Sequence, residues 1–533
     1  MRRTPLLLLA ALAALLGSLL VAPAAHAAPG HTTRYETIPG EGGTPLRAFV
    51  IRPTGRGPGP HPLLVLPTSW GMNNLEYVGA AWRMAHESGY VVVSYTSRGF
   101  WDSGGEIGVA GPTDVADARR VIDWAVRNAG GDPDRVGMAG ISYGAGISLL
   151  TAAADRRVRA VTAMSGWADL AASLYPNRTV GFQAVEMLMG LGHLTGRPGP
   201  ELRQAEVDYR AGNFDKVLPI APERSASTKV DQINANRPAV MIAHAWQDGI
   251  FPPSQLVDFY NRLTGPKRIM LTPGDHATPE LFGAAGFPNE IWESTGRWFD
   301  HHLRGVDNGV DREKPVQLKP ANGGGWRGYP SWAAATARNS TFYLTRPTTS
   351  WTSPQVTGSL AGAASTGWTH RINTGWDTAA NSGTIMVSGM LQGFFNIPTG
   401  VWMPQVNRSD AAVWWGPDQE SATTVNGAPR LHTTVTPSAA DTTLYAYLYD
   451  VGAVGGGALI THKPFTLRGA KPDVAQTIDI DLEPVTWDVP AGHRLVLVVD
   501  TVDPRYLGTS QRGETVTFGS PAGNPSWLRV PTA

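Results

Sequence analysis

The segment Gly140-Ile141-Ser142-Tyr143-Gly144 sets a serine between two glycines. Glycine makes up 61 of the 533 residues. Roughly 0.4 such G-x-S-x-G matches therefore arise by chance, and the motif alone is weak. Its surroundings strengthen it. The apolar run Val136–Ala139 reads as a strand, and Gly146–Ala153 reads as a helix. A sharp strand-to-helix turn needs glycine on both sides, exposes the serine hydroxyl, and aims the first helical N–H groups at an incoming carbonyl. Ser142 is thus the candidate nucleophile, and the Tyr143 N–H the candidate donor to a developing oxyanion.

A serine hydroxyl attacks poorly until a base takes its proton, and the base needs a carboxylate that fixes its tautomer. His276 follows the run Arg268–Leu271 in Pro273-Gly274-Asp275-His276. Asp248 follows the run Ala239–Ala243 in Trp246-Gln247-Asp248-Gly249. Both runs read as strands, and open α/β sheets build their sites at the carboxyl ends of such strands. The chain order Ser, Asp, His is that of an α/β-hydrolase. Competing residues fit less well. His244 lies within a strand and reads as packed core. Asp275 adjoins His276 on a tight turn that points its side chain away. Asp258 sits on a solvated helix, and His301 and His302 read as surface residues. A second oxyanion donor is expected in Pro67-Thr68-Ser69-Trp70-Gly71, where the Trp70 N–H is the candidate.

The elements that must position these residues alternate from about residue 34 to 305. Arg47–Ile51, Leu63–Leu66, Tyr90–Tyr95 and Val158–Met164 read as further strands, and Val115–Asn128 has helical apolar spacing. This alternation predicts a mostly parallel sheet with helices on both faces. It stops between Trp167 and Arg237, a stretch that includes Met187 and Met189 and reads as an inserted helical cap. Asp311–Tyr329 is rich in Pro and Gly and reads as a connection. From about Ser340 short strands with Gly/Pro turns take over, among them Thr443–Tyr449, Gln476–Leu482 and Arg494–Asp500. They predict a β-sandwich of the jelly-roll kind. The expected division is a leader at 1–27, an α/β domain at 28–330 with its cap at about 167–237, and an all-β domain at 331–533.

Composition narrows the function. Lys plus Arg equal Asp plus Glu at 44 each, so no charge excess calls for a nucleic acid or an anionic membrane as partner. The chain has no cysteine, which excludes thiol nucleophiles, disulfides and cysteine-ligated zinc. No phosphate-cradling or H-E-x-x-H motif is present, and no cofactor or metal is implied. Arg2 and Arg3, the apolar stretch Leu6–Val21 and Ala25-His26-Ala27 have the form of a cleavable export signal, which takes His26 with it. A secreted protein with no membrane segment after cleavage is expected.

These residues resemble the X-prolyl dipeptidyl-peptidase/cocaine-esterase family of serine hydrolases. The resemblance runs through Ser97-Arg98-Gly99-Phe100-Trp101-Asp102-Ser103-Gly104-Gly105-Glu106, Gly140–Gly144 and Trp246–Phe251. It continues through Trp298–Gly305, Tyr447–Val451 and Val489–Leu495. It implies an α/β-hydrolase core, a helical cap and a C-terminal jelly roll that helps wall the site. It also implies a small ester or peptide as substrate: first a peptide of the X-Pro type, alternatively a small hydrophobic ester. Cocaine-esterase-like relatives place a tyrosine hydroxyl in the oxyanion hole, where this chain offers Ser69-Trp70. Trp70 would then serve through its backbone or its indole N–H. Gly249-Ile250-Phe251 carries no charge, so a substrate amine would need Glu186, Glu206 or Asp208 from the cap. A more distant alternative is an inert hydrolase fold whose β-domain binds polysaccharide on Trp414 and Trp415.

Overall fold

The computed structural model describes residues 31–350 and 353–533, so the leader assignment lies outside the described residues. Strands β1 (His31–Pro39), β2 (Pro45–Pro53), β3 (His61–Pro67), β4 (Val91–Tyr95) and β5 (Gly131–Ile141) form the first half of one sheet. β6 (Val158–Met164), β7 (Ala239–Ala245), β8 (Lys267–Thr272), β9 (Val316–Leu318) and β10 (Arg327–Tyr329) complete it. The strand order is β1-β2-β4-β3-β5-β6-β7-β8-β9-β10. Strands from β4 across to β9 run parallel, with antiparallel pairs at both edges.

Both faces of the sheet are buried, which explains its nearly continuous apolar strands. Leu63, Val65, Val91, Val93, Val240 and Ile242 point to one face, Leu64, Leu66, Val92, Met241 and Ala243 to the other. Helix α1 (Val78–Ser88) covers the second face with a helix at Glu290–Arg304. Helices α2 (Pro112–Trp124) and α3 (Tyr143–Ala154) cover the first. The cap includes α4 (Phe182–Thr195) and α5 (Pro200–Arg210).

Two expectations change here. The 311–329 stretch is more than a connection, because β9 and β10 within it extend the core sheet. Helices also interrupt the all-β region, a single turn at Trp332–Ala335 and a longer one at Val387–Phe395. Otherwise that region is a two-layered β-domain. One layer runs through Thr442–Val451, Gly456–Leu467 and Arg494–Asp500, the other through Arg430–Pro437, Thr515–Ser520 and Trp527–Thr532.

Trp414 lies wholly inside this sandwich and donates its indole N–H to the Thr345 carbonyl at 2.9 Å. Only Trp415 keeps a partly open face, under the Arg494 guanidinium. The pair therefore cannot form the polysaccharide platform considered above. Trp414→Ala is expected to destabilise the β-domain by about 3–5 kcal/mol. Trp415→Ala should stay within about 1 kcal/mol of wild type. Urea unfolding followed by circular dichroism checks both.

Candidate active site

Ser142 stands at the turn between β5 and α3 with φ 57° and ψ −115°. A side chain is rarely held there, and glycines make it possible. A Cβ on Gly144 would lie 2.1 Å from the Pro67 carbonyl oxygen, and one on Gly140 would lie 2.4 Å from the Gly144 carbonyl carbon. The nucleophile turn and the loop after β3 therefore touch backbone to backbone.

The structure brings the three chemistry-bearing side chains together. His276 Nε2 is 2.8 Å from Ser142 Oγ, and His276 Nδ1 is 2.9 Å from Asp248 Oδ2. All three are buried. The other Asp248 oxygen accepts the Ile250 and Phe251 N–H groups at 2.9 and 2.8 Å. The Phe251 ring meets the imidazole edge to face. Burial opposes the charged form of each partner. For Asp248 the nearby imidazoles and hydrogen bonds outweigh burial, and its pKa falls below the ordinary carboxylate value. For His276 burial is likewise outweighed, chiefly by the charge and hydrogen bond of Asp248, and its pKa rises above 6.5.

Residues set aside in the sequence take part in the site. His244 is buried, but it also donates Nε2–H to the Phe251 carbonyl at 2.7 Å and lies 3.4 Å from Asp248 Oδ2. Burial holds it neutral, so it anchors the Asp248 loop. Asp275 does turn away from the imidazole. Its Oδ1 accepts the Gly249 N–H and the His276 N–H, both at 2.8 Å, and so ties the acid loop to the base loop. His302 is only partly exposed: it packs on Trp298, and burial lowers its pKa to about 4. Asp258 is exposed as expected.

The oxyanion candidates are placed differently. Tyr143 and Trp70 sit on the two segments that touch at Gly144 and Pro67. The Tyr143 N–H opens α3, where an N–H has no partner within the helix. The Trp70 indole N–H is not free: it donates to the Leu188 carbonyl at 2.8 Å. Of the two groups considered at Trp70, this leaves the backbone N–H.

An apolar cavity of about 180 Å³ opens beside Ser142. Trp70, Trp167, Phe251, Leu188, Met189 and Phe214 contribute to its wall. Among the described residues, His193 and Glu206 are the only acidic or basic side chains lining it, and they pair with each other at 2.7 Å. Glu186 is bound to Tyr209 and Arg210, and Asp208 to Gln204; neither lines the cavity.

The β-domain reaches the site from behind. In the 387–395 helix, a Cβ on Gly389 would lie 2.7 Å from the Asp275 Cβ, and one on Gly393 would lie 2.8 Å from the Gly274 Cα. Arg505 is buried near Gly249 and Asp275, and donates to the Ser382 carbonyl at 3.1 Å. No periodicity or motif marks these contacts in the sequence.

A serine, an imidazole and a carboxylate in hydrogen-bonded sequence, above a doubly covered parallel sheet, define a serine hydrolase of the α/β-hydrolase fold. The sequence of residues 42–278 matches the X-Pro dipeptidyl-peptidase (S15 family), and residues 308–523 match the X-Pro dipeptidyl-peptidase C-terminal non-catalytic domain. The chain belongs to this X-Pro dipeptidyl-peptidase and cocaine-esterase family of serine hydrolases. A protein of Streptomyces avermitilis with the provisional name Xaa-Pro dipeptidyl-peptidase is 23% identical over 511 residues, 81% of this chain and 69% of that one. Cocaine esterase of Rhodococcus sp. (strain MB1 Bresler) is 25% identical over 366 residues, 58% of this chain and 61% of its own. The structure of an α-amino acid ester hydrolase shares the fold, with a TM-score of 0.73, 15% identity, and coverage of 96% of this chain and 99% of that one.

Two outcomes follow. Because the imidazole must be neutral to accept the serine proton, kcat/KM should fall as the pH drops through an inflection above 6.5. A pH–rate profile of ester hydrolysis reads this directly. Gly389→Val should push the Asp275 carboxylate off the two loops and lower kcat by about 10–100-fold. Steady-state kinetics together with an unchanged melting temperature would locate that loss in the site.

Proposed function

We propose that this is an exported serine esterase in which Ser142, His276 and Asp248 form the catalytic triad and the cap cavity holds an apolar part of an ester. His276 takes the Ser142 proton as the hydroxyl oxygen attacks the ester carbonyl. The Tyr143 and Trp70 backbone N–H groups receive the oxyanion. His276 then returns the proton to the leaving alcohol, and water attacks the acyl-enzyme by the same route in reverse.

The cavity carries the substrate reading. Its wall beside Ser142 is almost wholly apolar, and the carboxylate on it, Glu206, is already paired with His193. A dipeptide carrying a free ammonium would have to disturb that pair, whereas an uncharged ester would not. This reverses the order of preference that the family resemblance suggested. Release of X-Pro dipeptides remains the second reading, favoured by Glu206 on the cavity wall and by the name of the Streptomyces relative. The export reading rests on the basic, apolar and A-x-A segments of residues 1–27.

The mature protein should label with a fluorophosphonate, and Ser142→Ala should not. Ser142→Ala should also lower kcat by several orders of magnitude. In a series of p-nitrophenyl esters, kcat/KM should rise about fourfold per added methylene until the cavity fills, following about 0.8 kcal/mol for each CH₂ buried. Ala-Pro-p-nitroanilide turnover above that of p-nitrophenyl butyrate would overturn the ester reading in favour of the peptidase. N-terminal sequencing of protein from the culture medium, with a start near Ala28, would support export.

A further inference from the structure

Glu76 lies between the loop after β3 and α1, half-buried, with its carboxyl group against the loop that carries Trp70. Its Oε2 accepts the Ser69 N–H at 2.8 Å, and its Oε1 lies 2.5 Å from Ser69 Oγ. Ser69 Oγ is also 2.9 Å from the carbonyl oxygen of Ile141, the residue before the nucleophile. The Ile141 N–H in turn donates to the Tyr77 hydroxyl at 2.9 Å. Glu76 and Tyr77, adjacent in sequence, thus hold the last residue of β5 at both its carbonyl and its amide, the former through Ser69.

A count of protons limits how this cluster can be wired. Ser69 Oγ has one hydrogen but two close oxygen neighbours, Glu76 Oε1 and the Ile141 carbonyl, which has no hydrogen to offer. Both contacts are hydrogen bonds only when Glu76 carries a proton. Glu76 then donates to Ser69 Oγ, and Ser69 Oγ donates to Ile141. When Glu76 is ionised, Ser69 turns its hydrogen to the carboxylate, and Ile141 faces an oxygen with no hydrogen between them.

We propose that Glu76 is a positioning residue for the oxyanion hole, joining the segment that carries the Trp70 N–H to the segment that carries Ser142 and the Tyr143 N–H. It acts through Ser69 and does not touch the substrate. The proposal rests on the oxyanion reading given above. The distance between two donors on separate segments decides whether both reach one oxygen, and this relay is a link between those segments. The titratable groups facing Glu76 are the Tyr77 phenol beside it and the His276 imidazole across the site. Burial pushes its carboxyl up to about 7, against the hydrogen bonds from Ser69 and Tyr77 and the positive charge of His276. The relay is therefore intact below that pH and lost above it. The wild-type kcat profile should be bell-shaped, with an acid limb from His276 and a neutral-to-alkaline limb from Glu76.

Glu76→Gln and Glu76→Ala, assayed with p-nitrophenyl butyrate from pH 5 to 9, test this. The glutamine amide can donate to Ser69 Oγ while its carbonyl accepts the Ser69 N–H. Glu76→Gln should therefore keep kcat near pH 6.5 within about threefold of wild type and remove the alkaline limb. Glu76→Ala should lower kcat by about 100-fold with KM changed only a few-fold. If Glu76→Ala fails to fold, Ser69→Ala, which breaks the relay at its centre, should show the same loss of kcat. An alkaline limb that persists in Glu76→Gln, or wild-type kcat in folded Glu76→Ala or Ser69→Ala, would overturn the proposal. Fluorophosphonate labelling separates the two layers: wild-type protein that does not label removes the serine-hydrolase reading itself, whereas normal labelling with unchanged Glu76 variants removes only the positioning role.

Discussion

The close approach of the Gly144 backbone to the Pro67 carbonyl governs the geometry of this active site. No side chain fits between them, since a Cβ there would sit 2.1 Å from the carbonyl oxygen. This contact lets α3 start directly above β3 and β5, and it requires Ser142 to adopt a positive φ. It also brings the loop after β3 alongside the first turn of the helix, so that backbone N–H groups from two distant segments face the same region. Ser142 is anchored on the other side by its N–H, which donates to the Met164 carbonyl at 2.8 Å. The strain is held by packing on both sides, as strained functional residues require.

Electrostatics imposes a second constraint. Four carboxyl groups lie around one imidazole: the buried Asp248, Asp275 and Glu280, and the half-buried Glu76. Were all four ionised, the imidazolium would be so favoured that His276 could not serve as a base near neutral pH. The structure separates them by environment. Asp248 keeps its charge through the imidazole and two backbone N–H groups. Burial raises Asp275, with Arg505 opposing. Burial lifts Glu280 to about 8, against the hydrogen bond from the Ser165 hydroxyl. Carboxyl groups of one chemical type are thus divided between the ionised orienter Asp248 and groups that burial pushes towards the neutral form.

Much of this was legible in the sequence because it is local. Ser142, Asp248 and His276 each follow an apolar run that could be identified as a strand, and parallel strands bring such positions to one edge. The jelly roll showed itself through alternation and turn residues. What escaped notice depends on contacts between distant segments. The 387–395 helix lies among strands and is apolar around most of its surface, so periodicity gave no signal for a role against Gly274 and Asp275. β9 and β10 are three residues each, too short for a pattern. Asp275 could have been weighed more heavily, since a carboxylate beside the base is seldom idle. Only coordinates show that its hydrogen bonds go to two backbone amides. The indole of Trp70 similarly has its partner in the cap, more than a hundred residues away.

The β-domain has a stronger connection to the chemistry than a wall around a pocket would need. Lys463 and Glu483 form a buried pair on it, and both bond Ser254, which follows the Asp248 loop and begins a helix of the core. Arg327 grips Asp488 across the junction between the two domains. The Gln183 amide of the cap donates to the Arg505 carbonyl, and the Leu507 amide donates to the Val180 carbonyl. The same short segment therefore touches the cap through its backbone and approaches the base loop through the Arg505 guanidinium. The guanidinium acts on Asp275 through its charge, while its hydrogen bond goes to the Ser382 carbonyl. Asp275 itself accepts the backbone N–H groups of Gly249 and His276, so the segment that meets the cap also lies beside the link between the two loops. The cap, the β-domain and the loops that carry Asp248 and His276 thus come together at one short segment, residues 505–507.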